Sequence, residues 1–95
     1  MIIERYTFPV KVGYRDEFVE LIKASIAESG LTPRVYTYIV GPHDVVISDA
    51  VFETEEERLK YWEEIDWSKP KAAEFQKKYA DLAENGATNV LLRVH

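Results

Sequence analysis

The chain has 95 residues, 46% hydrophobic and 31% charged, with 12 basic against 17 acidic side chains and a net charge of −5. That length predicts one domain, residues 1–95, with a modest core burying about 60–65% of its unfolded surface; the acidic balance argues against nucleic acid and anionic membranes, which select for clustered Lys and Arg. No cysteine is present, which removes disulfides, thiolate metal sites and Cys nucleophiles and fits a reducing cytoplasm; no stretch reaches the ~20 apolar residues of a membrane span, and Glu4 and Arg5 break the first apolar run where a signal peptide would need continuity.

Ile2 to Phe8 reads as a strand of β-branched and aromatic residues, with Ile2, Glu4, Tyr6 and Phe8 on one face and Ile3, Arg5 and Thr7 on the other. Pro9 marks a strand end, an edge or a bulge, because proline cannot donate to a ladder. A first helix is predicted over Tyr14 to Ser29, with Phe18, Leu21, Ile22 and Ile26 on one stripe and Val19 broadening it. Asp16 and Glu17 suit the positive end of its dipole, and Gly30 and Pro33 end it.

Arg34 to Val40 and Val45 to Phe52 are predicted as an antiparallel pair joined by Gly41-Pro42-His43-Asp44. Both strands are apolar or aromatic on both faces. An antiparallel sheet with one wet face alternates apolar with polar more cleanly. Both faces of this sheet are therefore expected to be covered, one by the chain's own helices and the other by a partner. Thr54 to Glu57 matches a capping box that opens a second helix running to about Ile65, burying Leu59, Trp62 and Ile65. Asp66 to Pro70 interrupts the helical region and splits it in two. Ser68 is the expected cap and Pro70 a first-turn proline for a third helix, Lys71 to Ala83, which buries Ala72, Phe75, Tyr79 and Leu82. Gly86 ends that helix. The last strand, Thr88 to Val94, carries Thr88, Val90, Leu92 and Val94 on one face and Asn89, Leu91, Arg93 and His95 on the other. The order βαββαβ predicts an α+β, ferredoxin-like sandwich with a four-stranded antiparallel sheet.

The opening Tyr6-Thr7-Phe8-Pro9-Val10-Lys11-Val12-Gly13, followed by Asp16-Glu17-Phe18, resembles the first strand and helix of the dimeric α/β-barrel superfamily, which includes NIPSNAP-like proteins and the antibiotic-biosynthesis-monooxygenase type. Val51-Phe52-Glu53-Thr54-Glu55-Glu56 is similar to the family's step from strand three into helix two. Val12 departs from the pattern, where the family favours proline. The resemblance implies a dimeric barrel of two ferredoxin-like monomers with sheets face to face, and a pocket between sheet and helices in each subunit. Haem-degrading relatives use an Asn on strand one, a Trp late in strand three and a His on helix two. The matching positions here are Tyr6, Phe52 and Tyr61 or Trp62, so haem ligation is not supported and the cofactor-free oxygenase reading is weakened too. No cofactor is expected.

Three constellations carry what chemistry the sequence offers. Tyr6, Tyr38, Phe52, Trp62 and Trp67 form an aromatic set that suits a planar organic ligand, although aromatic side chains also fill ordinary cores and interfaces. Arg5, Asp49 and Arg93 stand charged in otherwise apolar strands; they make either an anion or acid–base site, or a paired set at a dimer face, and the paired set is preferred because buried charges must be paired. His43 beside Asp44 is either an oriented imidazole or plain turn chemistry, and turn chemistry is preferred. Two histidines do not make a metal site, the acidic run Glu53 to Glu57 reads as a helix start, and no catalytic residue can be named. The expected function is that of a homodimer binding a small organic molecule, in its enzymatic form a cofactor-free oxygenase or related enzyme acting on an aromatic or polyketide-like compound. The competing reading is a non-catalytic module that only self-associates.

Overall fold

The structure, a computed structural model, describes residues 1–95. Its elements run β1 (Ile2–Pro9), α1 (Arg15–Glu28), β2 (Val35–Thr37), β3 (Val45–Phe52), α2 (Glu55–Glu63), α3 (Pro70–Leu82) and β4 (Thr88–Arg93). The four strands form one antiparallel sheet in the order β2-β3-β1-β4, with the helices against one face. This is the α+β ferredoxin-like arrangement, with the second helical region divided into α2 and α3.

Register decides which side chains meet the helices. Ile2, Glu4, Tyr6 and Phe8 of β1 stand opposite Phe52, Ala50, Ser48 and Val46 of β3, and this is the helix-facing side. The core cluster lies there: Phe8, Val10, Phe18, Ile22 and Val46 are buried, with Phe75, Tyr79 and Leu82 packed against them. Phe18 is fully buried, which is the outcome expected of the first residue in the apolar stripe of α1. Its ring meets Phe8 at 5.2 Å and Tyr79 at 5.7 Å, and Phe8 meets Tyr79 at 5.8 Å, so three elements share one aromatic junction. The end of α3 is tied to the end of β1 by Lys11 N–H to Leu82 O and Glu84 N–H to Pro9 O, both 2.9 Å.

The opposite face of the sheet carries Ile3, Arg5 and Thr7 from β1, Val45, Ile47, Asp49 and Val51 from β3, Tyr36 from β2, and Thr88, Val90 and Leu92 from β4. No element of this chain covers it. Tyr36, Val90 and Leu92 are all 40% or more exposed.

Three sequence expectations need correction. The second strand is three residues long instead of reaching Val40. Gly41 has a φ of 140°, and the Tyr38 ring lies so close that a Cβ at Gly41 would stand 2.7 Å from it. The chain folds Tyr38 against Gly41 and leaves the ladder, with Ile39 and Val40 in solvent. In α2, Leu59 is exposed, and the inward side is Arg58, Tyr61 and Trp62, with Ile65 half-buried just past the helix end, because the sheet beneath presents a carboxylate. Ser68 does not cap α3. Its N–H and hydroxyl both bond Asp66 Oδ1, closing the loop, and Lys69 is the N-cap. The Thr54 half of the expected capping box is present, with Glu57 N–H donating to Thr54 Oγ1 at 3.2 Å, while the Glu57 carboxylate accepts from the N–H of Glu53, one residue before the cap.

Candidate functional site

Strand alternation places Glu4 on the helix-facing side between Ile2 and Tyr6, where it is 1% exposed. A carboxylate there must be matched by donors or it would force its own protonation. Four converge on it. Trp62 Nε1 donates to Oε1 at 2.7 Å; Asn89 Nδ2 donates to Oε2 at 3.0 Å; Arg58 Nη2 and the Tyr6 hydroxyl each donate to Oε2 at 3.3 Å. Arg58 and Trp62 stand four residues apart on α2, which puts both on one helix face. Asn89 comes from β4 and Tyr6 from the same strand as Glu4. One side chain thus joins α2, β1 and β4.

The electrostatics follow from that geometry. Burial alone pushes the Glu4 carboxyl up, but the bonds from Asn89, Trp62 and Arg58, with the charge of Arg58, outweigh it and hold Glu4 below the usual carboxylate range. Tyr6 is pushed the other way, to about 12, by desolvation first and then by the charge and acceptor oxygen of Glu4. An ionised carboxylate whose lone pairs are taken up by four donors is not free to act as a general base, and Tyr6 is a neutral phenol at physiological pH. Of the 6 tyrosines, Tyr6 and Tyr79 should therefore ionise late. The neutral Tyr6 phenol contributes stability that is complete below pH 10 and is lost as pH rises toward 12. Phenolate absorbance should show Tyr6 still protonated at about pH 11 while circular dichroism reports an intact fold, and Tyr6→Phe should remove one late-ionising phenol. Simultaneous ionisation of every tyrosine near pH 10 in the folded protein would contradict this placement.

The aromatic set expected from the sequence is divided by the fold. Tyr6 meets Trp62 at 6.4 Å, Trp62 meets Tyr61 at 5.2 Å, and Tyr61 meets Phe52 at 5.5 Å, a run of rings around Glu4 and beneath α2. Tyr38 lies just past the end of β2 with its ring against Gly41, apart from the rings around Glu4. Trp67 is 56% exposed in the loop between α2 and α3. Two open surface depressions lie away from these rings. One of about 250 Å³ is lined by Gly30, Leu31, Thr32, Arg34 and Val51, and one of about 70 Å³ adjoins His43 and Asp44.

The charged trio is divided as well. Arg5 and Asp49 are direct cross-strand partners on the open face, joined by two bonds of 2.8 and 2.9 Å. Arg93 stands opposite Ile2, so its side chain belongs to the helix-facing side and does not join them. His43 Nδ1 faces Arg15 Nη1 at 3.1 Å, so that nitrogen accepts and the imidazole is oriented by Arg15 instead of by Asp44. No three His, Cys, Asp or Glu side chains gather to hold a metal ion. Glu4, Arg58 and Asn89 were not singled out from sequence. The available signal was an acidic residue on the apolar face of the first strand, with Arg58 and Trp62 at helical spacing to answer it.

The same fold occurs in several solved structures. An uncharacterized NIPSNAP domain protein from Burkholderia xenovorans matches with a TM-score of 0.80 at 17% identity, over 100% of this chain and 95% of that one. A NIPSNAP family protein of unknown function from Agrobacterium tumefaciens matches at 0.76 and 18% identity, over 97% and 86%. A candidate antibiotic biosynthesis monooxygenase from Nitrosomonas europaea matches at 0.71 and 11% identity, over 99% and 98%. No family model and no curated protein matches the chain.

Proposed function

We propose that the protein works as a homodimer, a dimeric α/β barrel in which the open sheet faces of two copies pack together. The observation that carries this reading is the uncovered apolar face of the sheet. The accessible surface is 6680 Å² for a chain of 11.0 kDa, and only 9 of 95 residues are buried. A folded monomer of that mass is expected to expose about 5,600 Å². The excess, roughly 1,000 Å², is close to the ~800 Å² that one partner contributes to a standard interface. The Arg5–Asp49 pair suits such a face, because both charges are already matched before a second sheet arrives. The residues form one domain, and a reducing cytoplasm suits a chain without cysteine.

Ile47 stands near the middle of that face, opposite Thr7 and Tyr36. Ile47→Glu would place an unmatched charge in the interface and should raise the dimer dissociation constant by about a hundredfold or more. Arg93→Glu, on the other side of the sheet, should leave association unchanged. Size-exclusion chromatography over a dilution series checks both. Equal effects of the two variants, or none from Ile47→Glu, would remove the open face as the interface.

A second reading is favoured by one specific observation, the ring-lined carboxylate beneath α2. Within the homodimer, each subunit binds a small organic molecule there. The fold's candidate monooxygenases give this reading an enzymatic form, a cofactor-free oxygenase on an aromatic or polyketide-like compound. The saturated Glu4 and the neutral Tyr6 support binding over catalysis. A thermal-shift screen tests it, since a ligand at a hundred times its dissociation constant stabilises by about 2.7 kcal/mol. Hits clustering in one chemical class support the reading, and a uniformly silent screen leaves the self-associating module.

A further inference from the structure

α2 is a nine-residue helix seated on the sheet by few side chains. Like α3, it buries no residue completely. Its apolar anchors are Tyr61 on Phe52 and Trp62 on Tyr6. Its polar anchors to the sheet are Arg58 and Trp62, and both end on Glu4. The charged anchor is poorly made. Arg58 Nη2 reaches Glu4 at 3.3 Å, long for a charge-assisted bond, while Nη1 is drawn to Glu55 at 2.8 Å. Arg58 Nε is buried with no acceptor at all. The countercharge of Glu4 thus resides on a short helix whose ionic tie to the sheet is long.

If α2 lifts, Arg58 and Trp62 leave with it. Glu4 then keeps only Asn89 and Tyr6, two neutral donors, and a carboxylate beside aromatic rings is left without a cation. An unpaired charge in such surroundings is strongly disfavoured. A cation arriving from solution would satisfy it; an anion would double the negative charge, and a neutral molecule would leave it unmet. The rings of Tyr6 and Phe52, which stay on the sheet, offer π faces that attract cations. The approach is biased the same way by Glu53, Glu55, Glu56 and Glu57 at the start of α2 and by the net charge of −5.

We propose that α2 is a hinged lid over Glu4 and that the ligand it admits is an organic cation, an ammonium or guanidinium on an aromatic or alkyl body, which takes the place of Arg58 on the carboxylate. This rests on the small-molecule reading of the same site. Arg58 is the internal occupant of the site, and its competition sets the ligand's affinity.

The test uses the full chain and four probes sharing one ring: benzylammonium, phenylguanidinium, benzoate and benzyl alcohol. Binding is followed by Trp fluorescence and titration calorimetry in wild type, Arg58→Met and Glu4→Gln. The two cations should bind wild type, and Arg58→Met should bind them about tenfold more tightly, because the aliphatic stem remains while the competing charge is gone. Glu4→Gln should lose about tenfold or more. If Glu4→Gln does not fold, Arg58→Met carries the test alone. Hydrogen exchange of α2 amides should be faster in Arg58→Met than in wild type, with α1 unchanged. Unchanged α2 exchange would overturn the lid. Binding of benzoate or benzyl alcohol as tight as that of benzylammonium would overturn the cation and leave the small-molecule reading standing. Silence from all four probes, in wild type and in Arg58→Met, would overturn both.

Discussion

Replacing Glu4 by alanine should cost about 3–5 kcal/mol of folding free energy, the range expected when one partner of a buried charged network is removed and the others stay behind. Arg58, Trp62, Asn89 and Tyr6 would all keep donors aimed at an empty position. Glu4→Gln should cost less, since an amide oxygen can still accept, although its own N–H group would face donors. Urea denaturation measures the difference as a shift in midpoint. A loss below about 1 kcal/mol for Glu4→Ala would mean that the four bonds merely replace those water would make. The pH dependence has a definite sign. Glu4 is held below its ordinary value of 4.5, so its contribution is present above that pH and is lost as pH falls through the folded-state value. Wild type should therefore lose stability on acidification below 4.5 more steeply than Glu4→Ala, which lacks this titration.

Phe18→Ala should be as damaging by a different route. Phe18 is 0% exposed and touches both Phe8 and Tyr79 at the junction of β1, α1 and α3. Truncating a buried phenylalanine costs about 3–5 kcal/mol, from lost transfer free energy and the cavity left behind. A chain of this length has about 5–14 kcal/mol of total stability, so the variant should sit close to unfolding at ambient temperature. Chemical denaturation with both Trp residues as reporters checks it. Leu59→Ala, on the exposed side of α2, should change stability by less than about 0.5 kcal/mol. Comparable losses at Phe18 and Leu59 would contradict the packing described here.

The contrast between those two positions bears on what the sequence could reveal. The stripe Phe18, Ile22 and Ile26 in α1 was legible because helical periodicity reports a face, and the surface under that face is uniformly apolar. In α2 the same logic chose Leu59 together with Trp62 and Ile65; Trp62 and Ile65 do face inward, but Arg58 takes the place expected of Leu59. Periodicity does not register that the surface beneath holds a carboxylate; that requires knowing that β1 presents Glu4 to α2. Strand β3 was legible to the residue, from Val45 to Phe52, because turn chemistry bounds one end and a capping box the other. Strand β2 was read too long, since Ile39 and Val40 have strand-like side chains while the close approach of Tyr38 to Gly41 is a tertiary fact. Arg5 and Asp49 came together because charges in apolar strands seek each other. Arg93 went to the other face because one residue of register exchanges faces entirely. The site was half legible for the same reason: Tyr6, Phe52 and Trp62 were chosen as aromatic, but Glu4, which organises them, shows in sequence only as an acid on an apolar strand face, with nothing local to name its partners.

The central claim is that the sheet's open face is made for a second copy. Sedimentation equilibrium of the wild-type chain at micromolar concentration tests it most directly. The account predicts a mass of twice 11.0 kDa, falling toward the monomer only on strong dilution. A single species of 11.0 kDa at every concentration would contradict it.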